Sequence, residues 1–232
     1  MYGSRRSFLA GATAGLITPD PGTSRPAGPL TPPAQGRIPV AFVMGPQATM
    51  IDFAGPWEVF QDVMGPERGA SHDEQMPFRL FTVGETTDPL RVTGGMQVVP
   101  DFTFEEAPPP RVVVIPAHQG TPGTVGWIRR AAAGADLTMS VCTGAFHLAK
   151  TGLLDGKTAT THHEFLDRFA RQFPAVRVER GVRFVEHERV ATAAGLSSGI
   201  DLALRVVERY FGRGTALRTA AYMEYDGRGW IV

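Results

Sequence analysis

The stretch Leu137-Thr138-Met139-Ser140-Val141-Cys142-Thr143-Gly144-Ala145 decides how this chain is read. Its first five residues suit a short strand buried on both faces, and the residues from Thr143 onward suit a helix. Cys142 therefore falls on the sharp turn between them. Such a turn strains the backbone, so its neighbours must be small, as Gly144 and Ala145 are. The side chain is pushed out at the sheet edge, above a helix N-terminus. There the helix dipole favours thiolate over thiol, and unfilled amides can hold a developing negative charge. A free Cys elsewhere usually packs as a small hydrophobe. At a strand–turn–helix junction, the pattern points to a nucleophile.

Working outward, the same alternation fills the chain. Ile38 to Met44 is a continuous apolar run closed by Gly45-Pro46. Trp57, Val59, Phe60, Val63 and Met64 follow at helical spacing, with Pro56 as a first-turn residue. Strands are predicted at Phe78–Val83, Arg111–Ile115 and Thr158–Thr161, and a short hairpin over Leu90–Val99 around Gly94-Gly95. Helices are predicted over Thr124–Ala133, Gly144–Leu154 and Glu164–Phe173. Short strands at 176–178, 183–186 and 190–192 lead to a long buried helix capped by Ser198. A last helix is predicted over Thr215–Tyr225. Strands alternating with helices give a mostly parallel sheet covered on both faces, an α/β fold. Reactive groups in such folds gather beyond the carboxyl ends of the strands.

Composition excludes several classes. The 232 residues carry 23 basic and 23 acidic side chains, so no basic face advertises nucleic acid. The single Cys excludes an internal disulfide and a cysteine-based zinc site. No pair of histidines has metal-site spacing, and no run reaches the ~18 apolar residues of a membrane span. Residues 1–36 differ from the rest. Ser4-Arg5-Arg6-Ser7-Phe8-Leu9 has the pattern of a twin-arginine export signal, and a mild apolar stretch follows it. A proline-rich segment to Gly36 reads as a linker. The expectation is a signal and linker over residues 1–36, a catalytic domain over residues 37–232, the export machinery as a partner, and a periplasmic or extracellular location.

A second feature is Met50-Ile51-Asp52-Phe53-Ala54-Gly55-Pro56-Trp57-Glu58. Asp52 is placed in the loop after the first strand, opening at the same sheet edge as Cys142. A carboxyl beside a thiolate has a raised pKa and can pass a proton to a substrate bonded to sulfur. An Asx-turn residue is the structural alternative. Glu58 reads as a surface or supporting residue.

The segments IDFAGPWEVF, SVCTGAFHLAKTGLLDGKTATTHH, GLSSGIDLALRVVERYFG and AAYMEYD together resemble the ThiJ/PfpI superfamily, and its isonitrile hydratase branch best. They span roughly residues 38–228. The resemblance implies a flavodoxin-like three-layer sandwich, a homodimer, a small-molecule substrate, and neither a metal nor an organic cofactor. It implies Cys142 as the nucleophile, Asp52 as its acidic partner, and Thr143 as the supplier of a hydroxyl and an amide. It places Ala117, His118, Gly144 and His162 around the substrate. The reaction implied is attack of the thiolate on an isocyanide carbon, protonation, and release of an N-substituted formamide by water.

One departure stands out. The family usually has Pro-Gly-Gly where this chain has Pro116-Ala117-His118. If that loop requires φ > 0, Ala117 and His118 are strained there. His118 either lines the pocket or faces solvent. His162 can approach the sulfur, as in relatives with a Cys–His triad, or support packing only. His147 is expected in packing or at the surface, His187 on an edge strand and His72 in a polar loop. Other readings are a thiol-dependent hydrolase or amidase, a glyoxalase-like enzyme, or a ligand- or redox-sensing protein. The sensing half of AraC-type regulators belongs to the last group; with the sequence running to Val232, their DNA-binding domain is not expected here.

Overall fold

Two continuous apolar runs, 38–43 and 112–115, become the middle of the sheet. In the computed structural model, which describes residues 27–65 and 69–232, β1 (Ile38–Val43) pairs in parallel with β2 (Phe78–Gly84) and with β6 (Val112–Ile115). β6 pairs in parallel with β7 (Leu137–Val141), and β7 with β11 (Val190–Ala193). At the edges lie β10 (Phe184–Glu186), antiparallel to β11, and β5 (Phe102–Thr103), parallel to β2. The order is β10-β11-β7-β6-β1-β2-β5. Leu90–Arg91 (β3) and Gln97–Val98 (β4) form the expected hairpin, and Thr158–Ala159 (β8) pairs with Arg177–Val178 (β9).

The helices are α1 (Met50–Gln61), α2 (His72–Gln75), α3 (Thr124–Gly134), α4 (Gly144–Lys150), α5 (Leu166–Gln172), α6 (Ser198–Phe211) and α7 (Arg213–Tyr222). Alternate strand residues point to opposite faces. Val40, Phe42, Val112, Val114, Met139 and Ala191 pack with residues of α1, α6 and α7. Ala41, Val43, Val113 and Ile115 pack with Trp127, Ile128, Leu148 and Phe169 from α3, α4 and α5. The result is a three-layer α/β sandwich. α1 and α6 approach closely: a methyl group at Gly55 would meet Ile200 at 2.9 Å, and one at Gly199 would meet Pro56 at 3.3 Å.

The chain leaves β1 toward β2 on one side and later adds β6 on the other. That reversal opens a crevice above the carboxyl ends of β1 and β6, with β7 beside them.

Local details depart from expectation. α1 starts at Met50, so Pro56 lies inside the helix and Asp52 is in its first turn rather than in a loop. The cause is tertiary. The Met50 N–H donates to the Thr93 hydroxyl at 3.0 Å and the Thr49 N–H to the Ala117 carbonyl at 2.8 Å, so the hairpin and a neighbouring loop satisfy the helix start. α4 ends at Lys150, and Gly152 takes φ +82° just beyond it. Ser198 does not cap α6. Ser197 stands at the cap position without a side-chain cap bond, and its hydroxyl accepts from Arg183 at 3.2 Å.

The stretch read as a linker is docked from Ala27 onward. The Leu30 N–H donates to the Arg209 carbonyl at 2.7 Å, Arg209 Nε to the Gly28 carbonyl at 2.9 Å, and Arg205 to the Ala27 carbonyl at 3.0 Å. Both arginines are buried beside Glu186, whose Oε1 also takes the Ala27 N–H at 3.1 Å. Composition cannot show this, because proline-rich backbone carbonyls become partners only where buried guanidinium groups need acceptors. The proposed export signal lies outside the described residues. Among the described residues, no helix is long and apolar enough to cross a membrane.

Candidate active site

Cys142 sits at the end of β7 with φ +57°, a left-handed conformation costly for any residue but Gly. Two bonds fix the turn. The Cys142 N–H donates to the Ala194 carbonyl at 2.8 Å, and the Thr161 hydroxyl donates to the Cys142 carbonyl at 2.7 Å. Gly144 is the other requirement. A Cβ there would lie 2.1 Å from the Ile115 carbonyl oxygen, because α4 starts directly against the end of β6. Gly144→Ala is therefore expected to destabilise the fold by at least about 3 kcal/mol, read from the denaturant midpoint. A loss below about 1 kcal/mol would mean that the elbow has room to spare. Gly144 thus serves packing at the turn; a substrate contact is not needed to explain it.

Asp52 comes to the sulfur from the first turn of α1. It is fully buried, and the Ala117 N–H donates to its Oδ2 at 3.1 Å. Oδ1 is buried with no hydrogen-bond partner of normal geometry. The Cys142 thiol lies beside this carboxyl and steadies its charged form, as does the Ala117 amide. Burial outweighs both and pushes the carboxyl up to about 7. Burial, followed by the Asp52 charge, pushes the thiol up to about 11. This corrects the expectation of a resting thiolate. The backbone N–H groups of Thr143 and Leu196 favour the charged sulfur, but they do not offset desolvation next to a carboxylate. The resting pair therefore keeps the proton on sulfur, with a carboxyl poised at neutral pH to accept it.

The other expected residues fall in place unevenly. Thr143 presents its amide to the sulfur, and its half-buried side chain makes no cap bond to α4. Ala117 is buried in the core beside Asp52 and contributes a backbone amide, while its methyl packs. Neither Ala117 nor His118 lies in the left-handed region, so this loop does not need the glycines it lacks. The His118 ring does not face solvent. Its Nδ1 donates to the Pro116 carbonyl at 2.8 Å, and it stacks on His147 with ring centroids 4.4 Å apart. His147 is buried, not at the surface.

His162 packs over Gly195, where a Cβ would meet its Cδ2 at 2.3 Å. Its Nδ1 accepts the Glu164 N–H at 3.3 Å, so the neutral ring carries its proton on Nε2 and offers no lone pair for a thiol proton. The Leu196 amide, from the turn between β11 and α6 where Leu196 takes φ +52°, was invisible in the sequence. A backbone donor has no residue signature. Among the described residues, no cluster of three or more metal-ligating side chains occurs. A cavity of about 640 Å³ lined by Arg129, Lys157, His187 and Arg189 lies at the start of β11, away from the sulfur. Its two guanidinium groups are committed to carbonyls at the ends of α3 and α4.

With this geometry in view, known proteins give it a setting. The chain is 30% identical to the isonitrile hydratase of Pseudomonas putida over 192 residues, covering 80% of this chain and 78% of that protein. It is 26% identical to the HTH-type transcriptional regulator CdhR of Pseudomonas aeruginosa, where the match covers 69% of this chain and spans about half (49%) of the regulator. Its structure superposes on a ThiJ/PfpI family protein from Pseudomonas syringae with a TM-score of 0.71 and 26% identity, covering 83% of this chain and 76% of that one. Drosophila melanogaster DJ-1beta shares the fold at a TM-score of 0.67 and 16% identity, covering 83% of this chain and all of that one. A fully buried carboxyl beside a cysteine on a strained elbow, in a flavodoxin-like sandwich whose residues 39–209 match the family, makes this chain a member of the DJ-1/PfpI family.

Proposed function

We propose that the protein is a cysteine-dependent enzyme that hydrates isonitriles to N-substituted formamides. The observation that carries this reading is the fully buried Asp52 carboxyl, pushed up to about 7, beside the Cys142 thiol. A group with that pKa accepts and returns a proton at neutral pH. As sulfur bonds to the terminal isonitrile carbon, Asp52 takes the thiol proton and then gives it to that carbon, forming Cys142–S–CH=N–R. Water next adds to the same carbon with Asp52 as base. The C–S bond breaks, the sulfur regains a proton, and R–NH–CHO leaves. The amides of Thr143 and Leu196 face the sulfur and hold its charge while that bond breaks. The balance is one isonitrile and one water to one formamide. A hydrolase built on a Cys–His pair fits less well, because the His162 lone pair is already bound by the Glu164 amide.

The test is to incubate the purified protein with alkyl and aryl isonitriles and measure formamide by mass spectrometry. Catalytic formation with a transient adduct on Cys142 is expected. Tight binding without turnover across the panel would instead favour a ligand sensor, in keeping with the similarity to regulators. We further propose that residues 1–36 carry a twin-arginine export signal, on the pattern Ser4-Arg5-Arg6-Ser7-Phe8-Leu9. Fused to a folded reporter, they are expected to carry it across the membrane only while both arginines are present. Retention in the cytoplasm refutes export.

A further inference from the structure

The mechanism leaves two histidines without a role, the buried His147 and the half-buried His118. His118 and His147 are 29 residues apart and stack at 4.4 Å between centroids with ring planes 25° apart. Both tautomers are set by carbonyls, which only accept. His118 Nδ1–H donates to Pro116 at 2.8 Å, and His147 Nε2–H donates to the His118 carbonyl at 3.0 Å. The remaining lone pairs, on His118 Nε2 and His147 Nδ1, are buried and unpartnered. Two buried acceptors without partners cost stability, so the arrangement calls for an explanation.

What it supplies is a fixed loop. Residues 116–119 carry the Ala117 N–H, the one hydrogen bond of normal geometry to the Asp52 carboxyl among the described residues. On one side this loop is laced to the segment after β1, through Thr49 N–H to Ala117 and Gln119 N–H to Pro46, both at 2.8 Å. On the other side His147, reaching from α4, holds it by the bond to His118 and by stacking. Glycines make room for the rings. A Cβ at Gly45 would lie 2.4 Å from His118 Cδ2, and one at Gly120 would lie 2.6 Å from His147 Cε1.

We propose that His147 is a positioning residue for the Cys142–Asp52 pair, acting through His118 to hold the Ala117 amide on the Asp52 carboxyl. α4 begins at the elbow, so one short helix then sets both the sulfur and, through His147, the donor that tunes its carboxyl partner. The rings stay neutral at working pH. Burial pushes His118 down to about 3, with the neighbouring His147 adding to the effect, and burial lowers His147 too. The titratable groups that bear on the device are Asp52 and Cys142 on the loop's inner side, and His118, His147 and Lys150 on the other.

The inference rests on the Cys142–Asp52 pair being the reactive site, but its readout is the thiol itself. A negative isonitrile assay therefore leaves it standing. The rate of Cys142 alkylation by iodoacetamide is followed against pH in the full-length protein, where Asp52 is expected to give an inflection near 7. A hydrogen bond to a carboxylate lowers its pKa, so loosening the Ala117 amide raises it. His147→Leu is expected to move the inflection up by about one unit, a tenfold change in the acid constant. His147→Gln keeps an N–H for the His118 carbonyl and is expected to restore it. Gly120→Ala pushes the His147 ring from outside and is expected to shift it upward as well. An inflection unmoved in folded His147→Leu overturns the proposal. Should that variant not fold, ring nitrogen NMR on the wild-type protein decides. Neutral Nδ1–H His118 and Nε2–H His147 at pH 6 support the proposal, and a charged or reversed His147 overturns it.

Discussion

Replacing Cys142 with alanine is expected to abolish formamide production, a loss of at least about 10⁴-fold, because the sulfur is the atom that bonds to the isonitrile carbon. The fold is expected to survive. Cys142 is nearly buried in an apolar cluster, and alanine keeps the backbone bonds to Ala194 and Thr161. It also keeps the strain, since φ is +57°. Cys142→Gly relieves it and is expected to be more stable than Cys142→Ala by about 1 kcal/mol. Denaturant midpoints and turnover of the two variants check both statements. Formamide made at the wild-type rate by the alanine variant would remove covalent catalysis.

Asp52→Asn is the second large effect, and it separates chemistry from stability. Asparagine can still accept the Ala117 N–H but cannot carry a proton between sulfur and carbon. Turnover is expected to fall by about 10³-fold or more, while the thiol remains open to alkylation. Stability is expected to move the other way. The folded-state pKa of Asp52, about 7, lies above its ordinary value of 3.8, so the folded protein binds the proton more tightly than the unfolded chain does. The wild type is therefore unpenalised below about pH 4 and loses stability as pH rises through about 7. Over that window the difference amounts to about 4 kcal/mol in favour of Asn, from roughly three pKa units. Urea titrations of both proteins at pH 4 and pH 8 measure it. A stability difference that does not change with pH would show that Asp52 is not buried against its charge.

Much of the sheet was legible because its central strands are buried on both faces. That burial leaves continuous runs such as 38–43 and 112–115. Cys142 was legible for a different reason: strand, strained turn and small-residue helix start lie within ten consecutive residues. Asp52 was recognisable as a partner through the family resemblance, yet its seat in the first turn of α1 depends on Thr93 and Ala117, some 40 and 65 residues away. The raised thiol pKa was misread in advance. A helix dipole is a local feature, whereas desolvation and a neighbouring carboxylate arise only when separate segments close over the sulfur.

By itself the sequence determined the layered α/β architecture and the position of the cysteine at a strand–helix corner; Asp52 as its partner was implied only by the family resemblance. The first two follow from short-range periodicity and local steric demands, which a linear string records. Only the tertiary structure decided where the proton rests, that His118 turns inward onto His147, that Ala117 and Leu196 act through their backbones, and that residues 27–31 belong to the folded body. Each of these depends on burial or on a hydrogen bond between distant segments, and such energies exist only once the chain has enclosed them.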